Sequence, residues 1–337
     1  MSKRNMPHLP AEVILQVIQC LIPSEPPVAF PPEHSVTQAL ISLTLVSSLT
    51  HQAAKRLLLK HCLYLNSGQR LDLVLPQLLG DDQKQQTQPT GLFLAPFPVQ
   101  SLEEPLVVTQ VDLLSSHICG SLRRLVIDMP LRDLRPYEDE QGLRKIIRAA
   151  FVRLTQLEEF CSARDELYCD TMQRGIEPPV WSLWPRLKCL ALYNAAVEWR
   201  EFWRFLPACP NLTHLVLTRA DYLTDPMDPD AVGLAWWSSL KRILIVNGAS
   251  GHLSDLRLRE PGWETSVVGQ LGLPQPTVES ESNKLTVELK PSLEYFCIDV
   301  PPEKEDDLPD ICQEWVCEQA TRGTLWDLPG SRYVLHD

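Results

Sequence analysis

The 337-residue chain lacks the marks of several large protein classes. No run of about 18 apolar residues occurs, the length a helix needs to cross a bilayer, so no membrane span is expected. Ten cysteines, at positions 20, 62, 119, 161, 169, 189, 209, 297, 312 and 317, never take Cys-x-x-Cys spacing. Most lie inside apolar runs, which disfavours zinc and redox motifs and predicts buried free thiols in a reducing compartment. There is no Gly-x-Gly-x-x-Gly or Walker loop, and "GASGH" from position 248 is not Gly-x-Ser-x-Gly. None of the eight histidines pairs with another at i, i+4. Asp221, Asp225, Asp228 and Asp230 lack the sixth-position Gly and twelfth-position Glu of a calcium loop, which favours a solvated loop. No catalytic, cofactor or metal constellation is therefore expected. Basic charge is also short: 31 Lys and Arg stand against 43 Asp and Glu, a net charge of −12. Phosphate binding needs a basic surface, so nucleic acid is disfavoured as a partner. Glu12, Gln16 and Gln19 interrupt the first apolar run, so it does not read as a secretory signal, and a cytoplasmic or nuclear location is expected.

What the chain does have is apolar content, 44% with a mean hydropathy of −0.11, enough for a sizeable core. Its length suits two domains or one extended array. Residues 6–23, "MPHLPAEVILQVIQCLIP", read as a short amphipathic helix with Val13, Val17, Ile18 and Leu21 on one stripe. Pro10 suits its start and Glu12 its dipole, and Pro23 stops it. The four prolines of "SEPPVAFPPEHS", residues 24–35, predict an extended loop. Thr37 is placed to cap the next segment, two helices broken near Ser47–Thr50, with Leu40, Leu43, Val46 and Leu49 on the first stripe. Three short helices in about 55 residues form a marginal domain with an apolar face left to cover.

These residues resemble the F-box motif over roughly residues 6–65. Leu9, Pro10, Glu12, Val13, Ile18 and Leu21 match its first part. Leu43, Val46, Ser47 and Leu63–Tyr64 match its second. The Pro-rich link is longer than usual, a character associated with fungal members, and Leu63–Tyr64 stands where a Trp is common. The resemblance implies docking to a Skp-type adaptor, and through it to a cullin, by Leu9, Pro10, Glu12, Val13, Val17, Ile18, Leu21, Leu43 and Val46.

Beyond residue 65, residues 66–100 read as a connecting helix, from Arg70 to Leu79, and a polar loop. A degenerate Leu-x-x-Leu-x-Leu pattern then recurs six times. The copies are "LRRLVI" at 122, "LEEFCS" at 157, "LKCLAL" at 187, "LTHLVL" at 212, "LKRILI" at 240 and "LEYFCI" at 293. The last interval, 53 residues against 25–35 elsewhere, leaves room for a degraded unit or an insertion. Helical stretches, among them "EQGLRKIIRAAFVRL", "EWREFWRFLPACP" and "DAVGLAWWSSL", lie between copies. The basic "RKIIRAAFVR" reads as a solvated helix face, and the Trp residues at 181, 184, 199, 203, 236 and 237 as core fillers. Residues 261–284 read as an inserted loop, and "PDICQEWVCEQATRG" as a terminal helix capping the array.

The expected fold class is α/β: N-terminal F-box helices followed, over residues 101–325, by an irregular leucine-rich-repeat-like solenoid with parallel strands. It is similar to leucine-rich-repeat F-box proteins, although Asn194 is the one clear candidate for their Asn ladder. The expected function is that of a non-catalytic substrate-recognition subunit of a Skp–cullin–F-box ubiquitin ligase, its repeats holding an unidentified protein. Arg219, Arg242 and Lys188 are placed to receive a substrate phosphate. The alternative is a repeat scaffold without ligase role, its first helices a mere cap. Exposure of Val13, Val17 and Leu21 favours the first; their burial against the repeats favours the second.

Overall fold

A computed structural model of the chain describes residues 9–80, 88–98, 101–172, 177–197, 200–227, 239–248, 263–272 and 291–332. All six Leu-rich hexapeptides end in strands, because their alternating apolar residues serve two faces of one sheet. The strands are β1 (Tyr64–Leu65), β2 (Gly91–Leu94), β3 (Arg124–Ile127), β4 (Glu159–Ser162), β5 (Cys189–Tyr193), β6 (His214–Thr218), β7 (Arg242–Gly248), β8 (Ser292–Ile298) and β9 (Ser331–Arg332). Their spatial order is their chain order; β1–β8 run parallel and β9 pairs antiparallel with β8. Sequential order in a parallel sheet is the topology of a solenoid-like α/β fold.

The helices are α1 (Ala11–Gln19), α2 (Ser35–Leu43), α3 (Ser48–His61), α4 (Gly68–Leu79), α5 (Pro105–Ile118), α6 (Leu143–Val152), α7 (Arg200–Phe205), α8 (Val267–Gly272) and α9 (Leu308–Arg322). Helices α4, α5 and α6 and the buried indoles of Trp181, Trp184 and Trp203 cover one face of the sheet. Two registered rows point to them, Leu92–Leu125–Phe160–Leu190–Leu215–Ile243–Leu293 and Leu94–Ile127–Ser162–Leu192–Leu217–Ile245. Ser162, the polar intruder in the weakest copy, is buried there and donates to the Asp165 carboxylate at 3.3 Å.

Turns between units are satisfied by backbone. The Thr90 carbonyl accepts from the N–H groups of Arg123 (2.9 Å) and Arg124 (3.0 Å). The carbonyls of Arg123, Glu158, Lys188 and Thr213 each do the same for the next strand's start. This answers how the array dispenses with an Asn ladder.

Several expectations need correction. The sheet begins at Tyr64, so residues 64–98 belong to the array and include β2, rather than forming a connector. Strand β7 pairs directly with β8 over seven residues, so the long interval is an insertion and not a missing unit. Part of residues 261–284 is not loop: α8 buries Val267, Val268 and Leu271 in the main core. The cap of α2 is His34, whose Nδ1 accepts from the Val36 N–H at 3.2 Å, while Thr37 is buried inside the helix. The break between α2 and α3 is a capping box formed by Ser47 and Thr50. "DAVGLAWWSSL" lies almost wholly outside the described residues, as do Trp199, Trp236 and Trp237.

The largest difference is at the sheet's second face, which such an array leaves open. Here both ends of the chain close it. Phe93, Val126, Cys161, Ala191, Val216 and Leu244 form its registered row. Helix α9 lies on them with Cys312, Val316 and Ala320 (one residue per turn) fully buried. The row narrows to Cys161 and Ala191 at its middle, and small side chains let a helix backbone approach. The Tyr193 hydroxyl donates to the Pro309 carbonyl at 3.2 Å. So α9 crosses the face of the array instead of capping its end.

The Pro-rich segment crosses beside it. Val28, Ala29 and Phe30 are buried, so this loop is a packed strap. The Val28 N–H donates to the Thr321 carbonyl of α9 at 2.8 Å, and the Phe30 N–H to the His61 carbonyl of α3 at 2.8 Å. The Arg124 guanidinium donates to the carbonyls of Pro26 (2.9 Å) and Pro27 (3.0 Å). Contact with β2 is so close that a Cβ on Gly91 would lie 2.0 Å from the Val28 carbonyl oxygen. We therefore expect Gly91→Ala to lower stability by about 3 kcal/mol or more, because backbone must move on one side. Gly120→Ala, which meets nothing within 4 Å, should stay within about 0.5 kcal/mol. Urea denaturation of both variants checks this; equal midpoints would show that the strap is not seated on β2.

Candidate functional site

Helices α1 and α2 both pack on α3 around Ile18, Leu40 and Ala54. A short helix has room for one buried stripe, and α1 uses Ile14, Ile18 and, past its end, Leu21 for it. Val13 and Val17, one turn apart, then face solvent with Leu9, and Val17 is 60% exposed. Pro10 and Glu12 are also exposed at the start of α1. Leu45 (84% exposed) and Val46 (69%) stand in the tight α2–α3 turn, their N–H groups bonded to the carbonyls of Ser42 and Leu43 and their side chains in solvent. Ile41 and Leu49 are exposed on either side of that turn.

The nine residues expected to dock an adaptor thus divide. Leu9, Pro10, Glu12, Val13, Val17 and Val46 are presented; Ile18 is buried at 2% exposure, and Leu21 and Leu43 are half-buried against it. Those three hold the unit together, with Ile18 enclosed and Leu21 and Leu43 partly accessible. Ile41 and Leu45 are presented without having been expected. Leu45 lies two residues before the Ser47 cap, in the turn where α2 has ended, while Ile41 lies within α2 beside the buried Leu40. Among the described residues, seven of fifteen exposed large apolar side chains fall within residues 9–49, an excess over the rest of the described chain.

The closed face retains one large cavity, an open cleft of about 1160 Å³ between the strap, α9 and the C-terminal ends of β1–β4. Its floor is the stacked pair Tyr64 and Phe93, ring centroids 4.1 Å apart. Burial drives the Tyr64 phenol up to about 12, so it stays protonated. The cysteine at the floor, Cys317, is also pushed to about 12 by burial and is inert as a nucleophile.

The positions expected to receive a phosphate are mostly committed elsewhere. The Arg242 guanidinium donates to Glu294 (2.6 and 2.9 Å) and to the Trp326 carbonyl (2.8 Å), fastening the segment after α9 to the sheet. Lys188 Nζ is 2.6 Å from Glu158. Asn194, at φ +52°, swings its amide nitrogen to Asp221 (3.0 Å) and the Arg219 carbonyl (3.1 Å).

Sequence reasoning also missed a buried polar cage behind β3 and β4. Arg144, assigned to a solvated helix face, is 2% exposed. Its guanidinium donates to the carbonyls of Leu131 (2.9 Å), Leu134, Tyr168 (3.0 Å) and Asp170, and stacks on the Tyr168 ring at 4.5 Å. It ties together the loops that come after two neighbouring strands. Beside it the fully buried Asp165 accepts from the Leu167 N–H (2.8 Å) and the Tyr168 N–H (3.4 Å), while its second oxygen has no partner. Burial, then Glu166, raises this carboxyl to about 7.

Among the described residues no group of three His, Cys, Asp or Glu side chains is placed to hold a metal, and no helix is long and apolar enough to cross a membrane. All ten cysteines are free, with Cys20 and Cys297 exposed. No family model, no curated protein and no solved structure matches the chain.

These environments set two expected outcomes. Ile18→Ala should cost about 2–4 kcal/mol and melt the three-helix unit first, whereas Val17→Ala should change stability by less than about 0.5 kcal/mol. Hydrogen exchange of α1–α3 amides reads both, and similar losses would contradict the assigned faces. For Asp165, a folded pKa above the unfolded value means stability is complete below pH 3.8 and is lost as pH rises through about 7. Asp165→Asn keeps the acceptor and cannot ionise, so it should gain on wild type between pH 5 and 8. Parallel denaturation midpoints across that range would refute the assignment.

Proposed function

We propose that the chain is the non-catalytic substrate-recognition subunit of a Skp–cullin–F-box type ubiquitin ligase. Residues 6–65 form its F-box: they hold a Skp-type adaptor, and through it a cullin, while the repeat array holds the protein to be modified. The observation that carries this reading is the exposure of Leu9, Val13, Val17, Leu45 and Val46 on a helical unit whose own core is already filled. Apolar side chains at one-turn spacing on a short helix suit a partner's groove. The chain adds no chemistry in this role; it places a target beside the transferring enzyme, which raises effective concentration.

A scaffold without ligase role is the second reading. It is favoured by the strap and by Leu59 and Leu63, which join the unit to the main core as a cap would be joined. The two separate in a pull-down with a recombinant Skp-type adaptor. Val13→Glu/Val17→Glu should fold like wild type, since both sites are exposed, and should recover less than a tenth as much adaptor. Leu9→Ala/Pro10→Ala should weaken recovery as well. Wild type that captures no adaptor, or a double glutamate variant that captures as much, would leave the scaffold reading.

A further inference from the structure

We propose that the cleft between strap and α9 is a docking site for an extended basic segment of a partner protein, with Lys or Arg side chains flanking an apolar or aromatic one. This deepens the receptor reading by naming the class of target, and it rests on that reading only for the target's fate.

Size and shape come first. A cavity of about 1160 Å³ exceeds what a small metabolite fills and suits several residues of extended chain. Prolines line it on two sides, Pro27 and Pro31 from the strap and Pro98 and Pro130 from the strand ends. Walls of fixed φ do not have to be ordered on binding, which lowers the entropic cost of association.

Charge selects the occupant. Five carboxylates line the cleft against two guanidiniums, Arg164 and Arg322. Both guanidiniums are already neutralised: Arg164 Nε is 2.6 Å from Asp128, and Arg322 Nη2 is 2.5 Å from Glu318 one turn away on α9. That leaves Glu33 on the strap side and Asp310 and Glu314 on α9, exposed and without an ion pair among the described residues. Net negative charge stands on both walls, Glu33 on one and Asp310 and Glu314 on the other, with Asp310 partly offset by Arg164 and the Tyr64–Phe93 stack between them. Aromatic faces attract cations and pack apolar side chains equally well. An acidic or phosphorylated peptide would meet like charge on each side.

The test uses the full chain and two fluorescein-labelled peptides, Gly-Arg-Lys-Leu-Tyr-Arg-Lys-Gly and its counterpart with Glu at every basic position. Polarisation at about 50 mM salt should show the basic peptide bound at least tenfold more tightly than the acidic one, and weakening as salt rises. Glu33→Lys/Asp310→Lys/Glu314→Lys alters exposed side chains only; it should lose the basic peptide at least tenfold and gain the acidic one. Adaptor recovery by the same variant, measured separately, should be unchanged. Equal binding of both peptides, no binding of the basic peptide, or no effect of the triple reversal would each overturn the proposal, whatever the adaptor result. A concentration-dependent dimer of wild type that the reversal abolishes would assign the cleft to a second copy and overturn it too.

Discussion

The structure depends on how one face of a parallel sheet is kept from water. Helices and indoles cover the first face, because the helices α4, α5 and α6 of the described crossovers pass on that side. The second carries Phe93, Val126, Val216 and Leu244, and among the described residues no crossover helix packs on it. The chain covers it with its two ends, the strap of residues 23–32 and α9, and pins them to each other at Val28 and Thr321. Two polar residues on that face hold the covering: Arg124 grips the strap, and Arg242 grips the segment after α9. Arg124 donates to two carbonyls of the strap and Arg242 to the Trp326 carbonyl as well as to Glu294, so each satisfies carbonyls that proline-rich and irregular segments leave unpaired.

This closure changes what the array can offer a partner. An open solenoid presents its strand face; here that face is core. Two accessible surfaces stand out among the described residues, the cleft at the seam between the two covers over Tyr64 and Phe93 and the outer side of the three N-terminal helices. The two surfaces differ in chemistry for a physical reason. The α1 helix is only nine residues long and buries one stripe, so its remaining apolar residues must stay outside. The seam is bordered by the solvent side of α9, which is acidic because α9 turns its apolar residues to the sheet.

Much of this was legible in the residues. Alternation in the hexapeptides from "LRRLVI" to "LEYFCI" located β3–β8, since a strand buried on both faces needs apolar residues at both parities. The helix break at Ser47 and the helices α4, α6 and α9 were readable from capping and 3.6-residue periodicity. One strand with a weaker pattern escaped: β2 is four residues of "GLFL" behind a polar tract, whereas β1, two residues long, falls where a strand start at Tyr64 is readable. Long-range placement escaped as well. Nothing local in "SEPPVAFPPEHS" distinguishes a surface loop from a strap, because its burial depends on Gly91, Arg124 and Thr321, far away in the chain. Nor does Arg144 differ locally from Arg148 and Arg153 at the same helix; only the carbonyls of the loops after β3 and β4 draw it inward.

The same reasoning explains which surface residues were foreseen. A stripe at helical spacing shows that a helix has an apolar side, but not whether that side is inner or outer. In α1 two overlapping stripes exist, Ile14–Ile18–Leu21 and Val13–Val17, and the choice between them is made by α3. Ile and Leu fill the inner one and the smaller Val the outer, so the larger area goes where it gains most. The outer stripe therefore costs the free chain little to expose and is available to stabilise a complex, which is the balance a reversible docking surface requires.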